Sequence, residues 1–339
     1  MTFIRQVTYL MLLTSWFFIT AALAAQEYRT IADLNGWWKF SIGDDQAWSK
    51  PSFNDSDWDG INAPGNWEDQ GYYGYNGYAW YRKQVYLPEQ AKGKSLYLAM
   101  GYIDDVDQVY FNGTLIGSSG SFPPYYRTAY NAHRLYAVPQ ELCNFNSGNT
   151  ISVRVYDAQL GGGIMSGNLA LVFKPGEMVP DLSLAGAWRF KAGDNREWAQ
   201  PGTDDNGWSL LTVPGFWESQ GYQHYDGFAW YRKSFTLPRN LSNQQLMMVF
   251  GAIDDLDEVY VNGVRIGGTG DIKDNFNDNY PGNEYREFRA YAIPANLLNT
   301  SKPNIVAVRV FDKYADGGIY RSPVGIITQQ RYLQFWRKR

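Results

Sequence analysis

Val259-Tyr260-Val261-Asn262-Gly263 decides the fold, because a β-prone arm there runs into a hairpin-turning dipeptide. Asn-Gly tolerates the positive φ that a type I′ turn demands at both central positions. The same shape returns as Val109-Tyr110-Phe111-Asn112-Gly113. Outward from these turns, Ile151, Val153 and Val155 alternate with Ser152, Arg154 and Tyr156, the period of a strand with one buried face. Val306, Val308 and Val310 repeat the pattern. Pro139-Gln140-Glu141-Leu142 and Pro294-Ala295-Asn296-Leu297 each fit one helical turn, proline being tolerated at its start. No long amphipathic helix is expected after the N-terminal region. Short strands punctuated by Gly, Pro and Asn predict an all-β chain of β-sandwiches.

The two hairpins belong to a duplication. Gly36-Trp37-Trp38-Lys39-Phe40 recurs as Gly186-Ala187-Trp188-Arg189-Phe190, and aligning Gly36–Pro88 with Gly186–Pro238 gives 25 identities in 53 positions. Ten of the 13 tryptophans fall into pairs: 38/188, 48/198, 58/208, 67/217 and 80/230. The offset grows from 150 to 155 by Arg134/Arg289, because Asp271–Phe288 is five residues longer than Ser121–His133. So long a period means two whole domains rather than a solenoid. Residues 25–174 form copy one and 180–330 copy two, with the seam at Lys174-Pro175-Gly176 to Pro180.

Thirty basic and 34 acidic side chains leave a net charge of −4, with no electrostatic footprint for nucleic acid or anionic lipid. One cysteine and two histidines argue against a disulfide framework, a structural zinc site and a thiol redox centre. Cys143 is expected to be buried rather than reactive. Arg5, the apolar run Val7–Ile19 and Ala22-Leu23-Ala24 read as a signal peptide over residues 1–24. The run is short of the ~20 residues that a spanning helix needs. The mature protein is therefore expected to be secreted or periplasmic, with no membrane partner.

Pro64-Gly65-Asn66-Trp67-Glu68 and Asp226-Gly227-Phe228-Ala229-Trp230-Tyr231-Arg232-Lys233 resemble the jelly-roll sugar-binding domain of glycoside hydrolase family 2. So do Ile253-Asp254-Asp255-Leu256-Asp257-Glu258-Val259-Tyr260-Val261-Asn262-Gly263 and Val308-Arg309-Val310-Phe311-Asp312, the latter followed by Gly317-Gly318-Ile319. The pattern is also similar to the jelly roll of sialate O-acetylesterases. The resemblance covers almost all of the mature chain, in both copies, and implies two tandem galactose-binding-like jelly-roll β-sandwiches. In such enzymes this domain accompanies a catalytic one and holds or walls in the sugar. A family 2 glycosidase carries its acid and nucleophile on a (β/α)₈ barrel of ~250 residues, whereas 14 residues follow Gly325 here. Asn283-Glu284 matches the barrel's acid motif only formally, and no Gly-Asp-Ser nucleophile is present. No catalytic residue and no cofactor is therefore expected.

The expected ligand is an oligo- or polysaccharide, whose C–H faces stack on aromatic rings and whose hydroxyls seek carboxylates. Trp67, Glu68 and Tyr75 in copy one, and Trp217, Glu218 and Tyr225 in copy two, combine those groups near Gly-rich connections. Trp38, Trp58, Trp80 and their partners are expected in the core. Asp316 resembles the carboxylate that this loop extends toward the sugar in family 2 enzymes, and Tyr320 follows it; copy one has Gly161 at the Asp316 position. Copy two is thus the expected binding half, with Trp217, Glu218, Tyr225, Asp316 and Tyr320 around one pocket. The paired aspartates bordering the hairpins are expected to accept backbone hydrogen bonds. They lack an Asp-x-Asp-x-Asp-Gly loop, so no metal site is expected. The expected function is carbohydrate recognition without cleavage. A β-galactosidase-like hydrolase or glycan esterase with its site between the copies is the alternative, and an accessory subunit for a separate catalytic chain is a third reading.

Overall fold

The computed structural model describes residues 28–272 and 282–339. The leader expected over residues 1–24 lies outside the described residues. Copy one supplies β1 (Arg29–Asp33), β2 (Gly36–Ile42), β3 (Asp59–Ala63), β4 (Gly77–Leu87), β5 (Leu96–Asp104), β6 (Val106–Phe111), β7 (Thr114–Ser119), β8 (His133–Val138), β9 (Ser147–Asp157) and β10 (Gly163–Phe173). Copy two supplies β11 (Leu182–Ser183), β12 (Gly186–Ala192), β13 (Ser209–Val213), β14 (Gly227–Phe235), β15 (Leu246–Asp254), β16 (Leu256–Val261), β17 (Val264–Thr269), β18 (Arg289–Ile293), β19 (Asn304–Asp312) and β20 (Gly318–Thr328).

Each copy pairs a four-stranded with a six-stranded sheet, in the same strand order. Copy one has β1-β10-β5-β8 and β3-β2-β4-β9-β6-β7; copy two has β11-β20-β15-β18 and β13-β12-β14-β19-β16-β17. The expected hairpins are β6–β7 and β16–β17. Their turns place Asn112 and Gly113 at φ 49° and 80°, and Asn262 and Gly263 at 50° and 83°. Asn262 also ties its turn to the sandwich, its Nδ2 donating to Leu297 O at 2.6 Å and to Asn304 Oδ1 at 2.9 Å.

The cores lie between the sheets, where the period of two sends alternate side chains inward. Val306, Val308 and Val310 are fully buried on the inner face of β19. Phe190 packs edge-on against Tyr231, with ring centroids 4.9 Å apart. Trp38, Trp80, Trp188 and Trp230 are buried as expected; Trp208 is also buried, while Trp58 is half-buried. Trp230 points away from Tyr231 into a satellite cluster with Trp208, Tyr260 and Ala307. Cys143 is half-buried, and burial pushes its thiol up to about 12. Single 3-10 turns at Gln140–Leu142 and Ala295–Leu297 match the two proline-led segments.

One element was not anticipated. Helix α1 (Gln329–Arg337) caps on Thr328 and lays Tyr332 and Phe335 against a cluster holding Met178, Val249 and Ile327. Its nine residues are too few to show a sustained amphipathic period. The copies touch through Ser118 N–H, which donates to Thr212 Oγ1 at 2.7 Å, and Ser183 N–H, which donates to Glu141 Oε1 at 2.6 Å.

Candidate functional site

One end of copy two is built by a clamp between two loops. Gly215 N–H donates to Ile319 O at 2.8 Å and Trp217 N–H donates to Gly317 O at 3.0 Å. Gly317 N–H returns a bond to Glu218 Oε2 at 2.9 Å. A Cβ at Gly317 would lie 2.1 Å from Trp217 Cζ2, so glycine is what lets the loop cross the indole. Copy one repeats the device: Gly162 N–H donates to both Glu68 oxygens, and a Cβ there would sit 2.2 Å from Trp67 Cζ2.

The clamped loop carries Lys313–Asp316 into a pocket of about 560 Å³. Its lining comes from Phe216 before the clamp, Asp254 and Asp255 at the β15–β16 junction, Gly282 and Tyr285 of the long loop, and Asp316 and Tyr320. Phe216 and Tyr320 stack with centroids 4.7 Å apart and planes 11° from parallel, which gives the pocket an aromatic wall. Tyr320 is anchored by its hydroxyl, which donates to Tyr285 O at 2.8 Å. Asp316 is exposed.

The structure divides the residues expected around one pocket. Asp316 and Tyr320 lie together there. Trp217 does not: its ring has no exposed surface, and its Nε1–H donates to Tyr225 O at 3.0 Å. The expectation that Trp217 offers a ring face is therefore corrected, since sandwich core covers both faces, and the same holds for fully buried Trp67. Glu218 and Glu68 work as loop clamps. Tyr225 lines a different cavity of about 630 Å³ between the copies, with Gln108, Phe122 and Arg127 on its far side. Its hydroxyl donates to Phe228 O and accepts from Gly193 N–H, so it too is held internally. Tyr75 is locked in the same way by Tyr78 O at 2.7 Å.

Phe216, Tyr285 and Lys313 were not singled out from the sequence. A signal for Phe216 existed in the repeat, where Asn66 stands in copy one. The other two needed the fold, since 285 and 313 approach residue 254 only through the strand order.

The carboxylates at this end repel one another. Burial pushes Glu218 up to about 7, with Asp316 adding to the rise against two backbone donors. Its Oε1 is buried without a hydrogen-bond partner. Burial, then the neighbouring Asp255, Asp312 and Asp316, pushes Asp254 up to about 8. Burial and the Asp255 charge push Asp312 to about 8 as well. Copy one shows a weaker version, with Asp104 raised to about 7 and Asp157 to about 6, burial again leading.

Fold and pocket together define a class: a tandem jelly-roll protein whose second copy carries a loop-end pocket. Comparison with known proteins gives the family likeness. The β-galactosidase second all-β domain family matches residues 193–315. β-Galactosidase BoGH2A of Bacteroides ovatus is 29% identical over 157 residues, covering 40% of this chain and 16% of the relative. A β-glucuronidase of Formosa agariphila is 27% identical over 104 residues, covering 27% of this chain and 11% of the relative. The crystal structure of a Bacteroides uniformis β-glucuronidase aligns at TM-score 0.36 and 16% identity, covering 86% of this chain and 28% of that one. The chain thus spans less than a fifth of these two curated relatives. It resembles the sugar-binding domain of glycoside hydrolase family 2.

Proposed function

We propose that the chain recognises an oligo- or polysaccharide in the pocket of copy two, as a binding module rather than a hydrolase. The observation that carries this reading is the stacked Phe216–Tyr320 wall lining the same pocket as Asp316 and Asp254. An apolar ring surface beside charged acceptors suits a ligand with C–H faces and hydroxyl edges. Copy one has Asn66, Gly161 and Met165 where copy two has Phe216, Asp316 and Tyr320, so the aromatic wall and the Asp316 carboxylate belong to copy two alone. The glycosidase names of the relatives support a sugar ligand. Arg5, the apolar run and Ala22-Leu23-Ala24 support export to the periplasm or medium, where a separate catalytic chain is the partner such a module would serve.

A glycan array followed by calorimetry tests the reading. Asp316→Ala is expected to weaken binding about tenfold to hundredfold, as for one charge-assisted hydrogen bond of roughly 1.5–3 kcal/mol. Melting should be unchanged, because Asp316 is exposed. Unaltered affinity in a stably folded Asp316→Ala protein would remove the pocket from consideration. Turnover of aryl glycosides that disappears in Glu218→Gln would overturn the binding-only reading.

A further inference from the structure

We infer that each copy holds a hard divalent cation of the calcium class between three aspartates: Asp104, Asp105 and Asp157 in copy one, and Asp254, Asp255 and Asp312 in copy two. In each trio, one oxygen from every carboxylate lies within 4.8 Å of the others, close enough to share one ion. The topology builds the cluster twice, from the end of β5 or β15, the residue after it, and the last residue of β9 or β19. Backbone bonds hold it: Asp255 N–H donates to Phe311 O at 3.0 Å, and Lys313 N–H donates to Asp255 Oδ2 at 3.0 Å.

The second observation is an orphaned oxygen at the same place in both copies. Asp157 and Asp312 have no exposed surface, and each spends Oδ1 on a nearby backbone N–H, from Gln159 at 3.1 Å and Tyr314 at 3.3 Å. Their Oδ2 atoms are buried with no hydrogen-bond partner. A carboxylate oxygen out of water is costly unless something positive or donating meets it.

The nearby arginines are committed elsewhere. Arg134 and Arg289 pair with Asp107 and Asp257 at 2.8 Å. Lys313 lines the copy-two pocket beside Asp254 and Asp255, but Ala158 holds its position in copy one, where the trio is the same. Lys313 is therefore no counter-charge common to the two clusters, and Arg134, whose charge draws Asp104 down, is already paired with Asp107. Three carboxylates, without histidine or thiol, match a hard ion that takes six to eight oxygens and completes its shell with water. Because copy one carries the trio without the aromatic wall, the inference stands apart from the carbohydrate reading.

The competing arrangement is a proton shared by Asp254 and Asp255, and a calcium titration separates the two. The full chain is stripped with EDTA, then titrated with calcium by calorimetry and with terbium by luminescence sensitised from nearby aromatic rings. Two ions per chain are expected, with the melting temperature rising by several degrees as calcium saturates the sites. Asp157→Asn and Asp312→Asn should each remove one ion, and the pair together both. Should these buried variants fail to fold, Asp104→Asn and Asp254→Asn, at partly exposed positions, take their place. No binding and no melting shift with calcium up to about 1 mM, the weak limit for extracellular modules, overturns the inference in favour of the shared proton. Binding that survives in the double variant overturns the placement.

Discussion

Arg289→Met is expected to destabilise copy two by about 3–5 kcal/mol, the usual cost of stripping one partner from a buried ion pair. Neither Arg289 nor Asp257 has any side-chain exposure, and Nε lies 2.8 Å from Oδ1. The guanidinium does more than pair. It donates to Ile253 O and Asp255 O, both at 2.8 Å, and to Glu287 O at 2.6 Å. Methionine fills a similar volume but satisfies none of these acceptors, so the loss combines an uncompensated carboxylate with several unpaired carbonyls. Burial already pushes the Asp257 carboxyl up against the pull of Arg289. Urea melting checks the number, and Arg134→Met should do the same to copy one, where Arg134 and Asp107 repeat the geometry. A double variant, Arg289→Met with Asp257→Leu, should regain part of the loss, because the lone buried charge is then gone. A loss below about 1 kcal/mol in Arg289→Met would mean that the pair behaves as a surface salt bridge.

The same arginines mark where reading the sequence stopped. The hairpins were legible because Asn262-Gly263 combines a local backbone demand with a flanking β pattern, and both lie within a few residues. The sandwich cores were legible because Val306, Val308 and Val310 show their period directly. The acidic residues were legible only in part: Asp105, Asp157, Asp255 and Asp312 accept backbone N–H bonds as expected, but their other partners were not in view. Asp107 and Asp257 proved to be ion-pair partners of arginines 27 and 32 residues away. Asp157 and Asp312 gather with aspartates from another strand, and Glu68 and Glu218 clamp glycines 94 and 99 residues downstream. Acidic side chains thus serve three different duties, set by partners that only the strand order brings near. Asp316 and Tyr320 were found because the copies differ there. Phe216 shows an equal difference from Asn66, but nothing local says that its ring will meet Tyr320.

Trp217→Ala is expected to cost about 3–5 kcal/mol, the range for removing a large aromatic side chain from a packed core. The ring is fully buried, lies 5.7 Å from the Phe190 and Tyr225 rings, and satisfies Tyr225 O through its Nε1–H. Alanine would leave a cavity and an unpaired carbonyl together. It would also take away the surface against which Gly317 lies, so the Lys313–Asp316 loop should loosen and ligand affinity fall with stability. Phe216→Ala, one residue away, separates the two effects. Phe216 is half-buried on the pocket wall, and its removal should weaken binding while costing copy two much less than Trp217→Ala. Urea melting and calorimetry on both variants decide the matter. If Trp217→Ala melts like the parent and only binding is lost, the indole is a ligand platform and its place in the core is wrong. If Gly317→Ala reproduces the destabilisation from the opposite side, where its Cβ would meet the indole at 2.1 Å, indole and glycine are one packing unit. The pocket then owes its shape to a contact that no ligand touches.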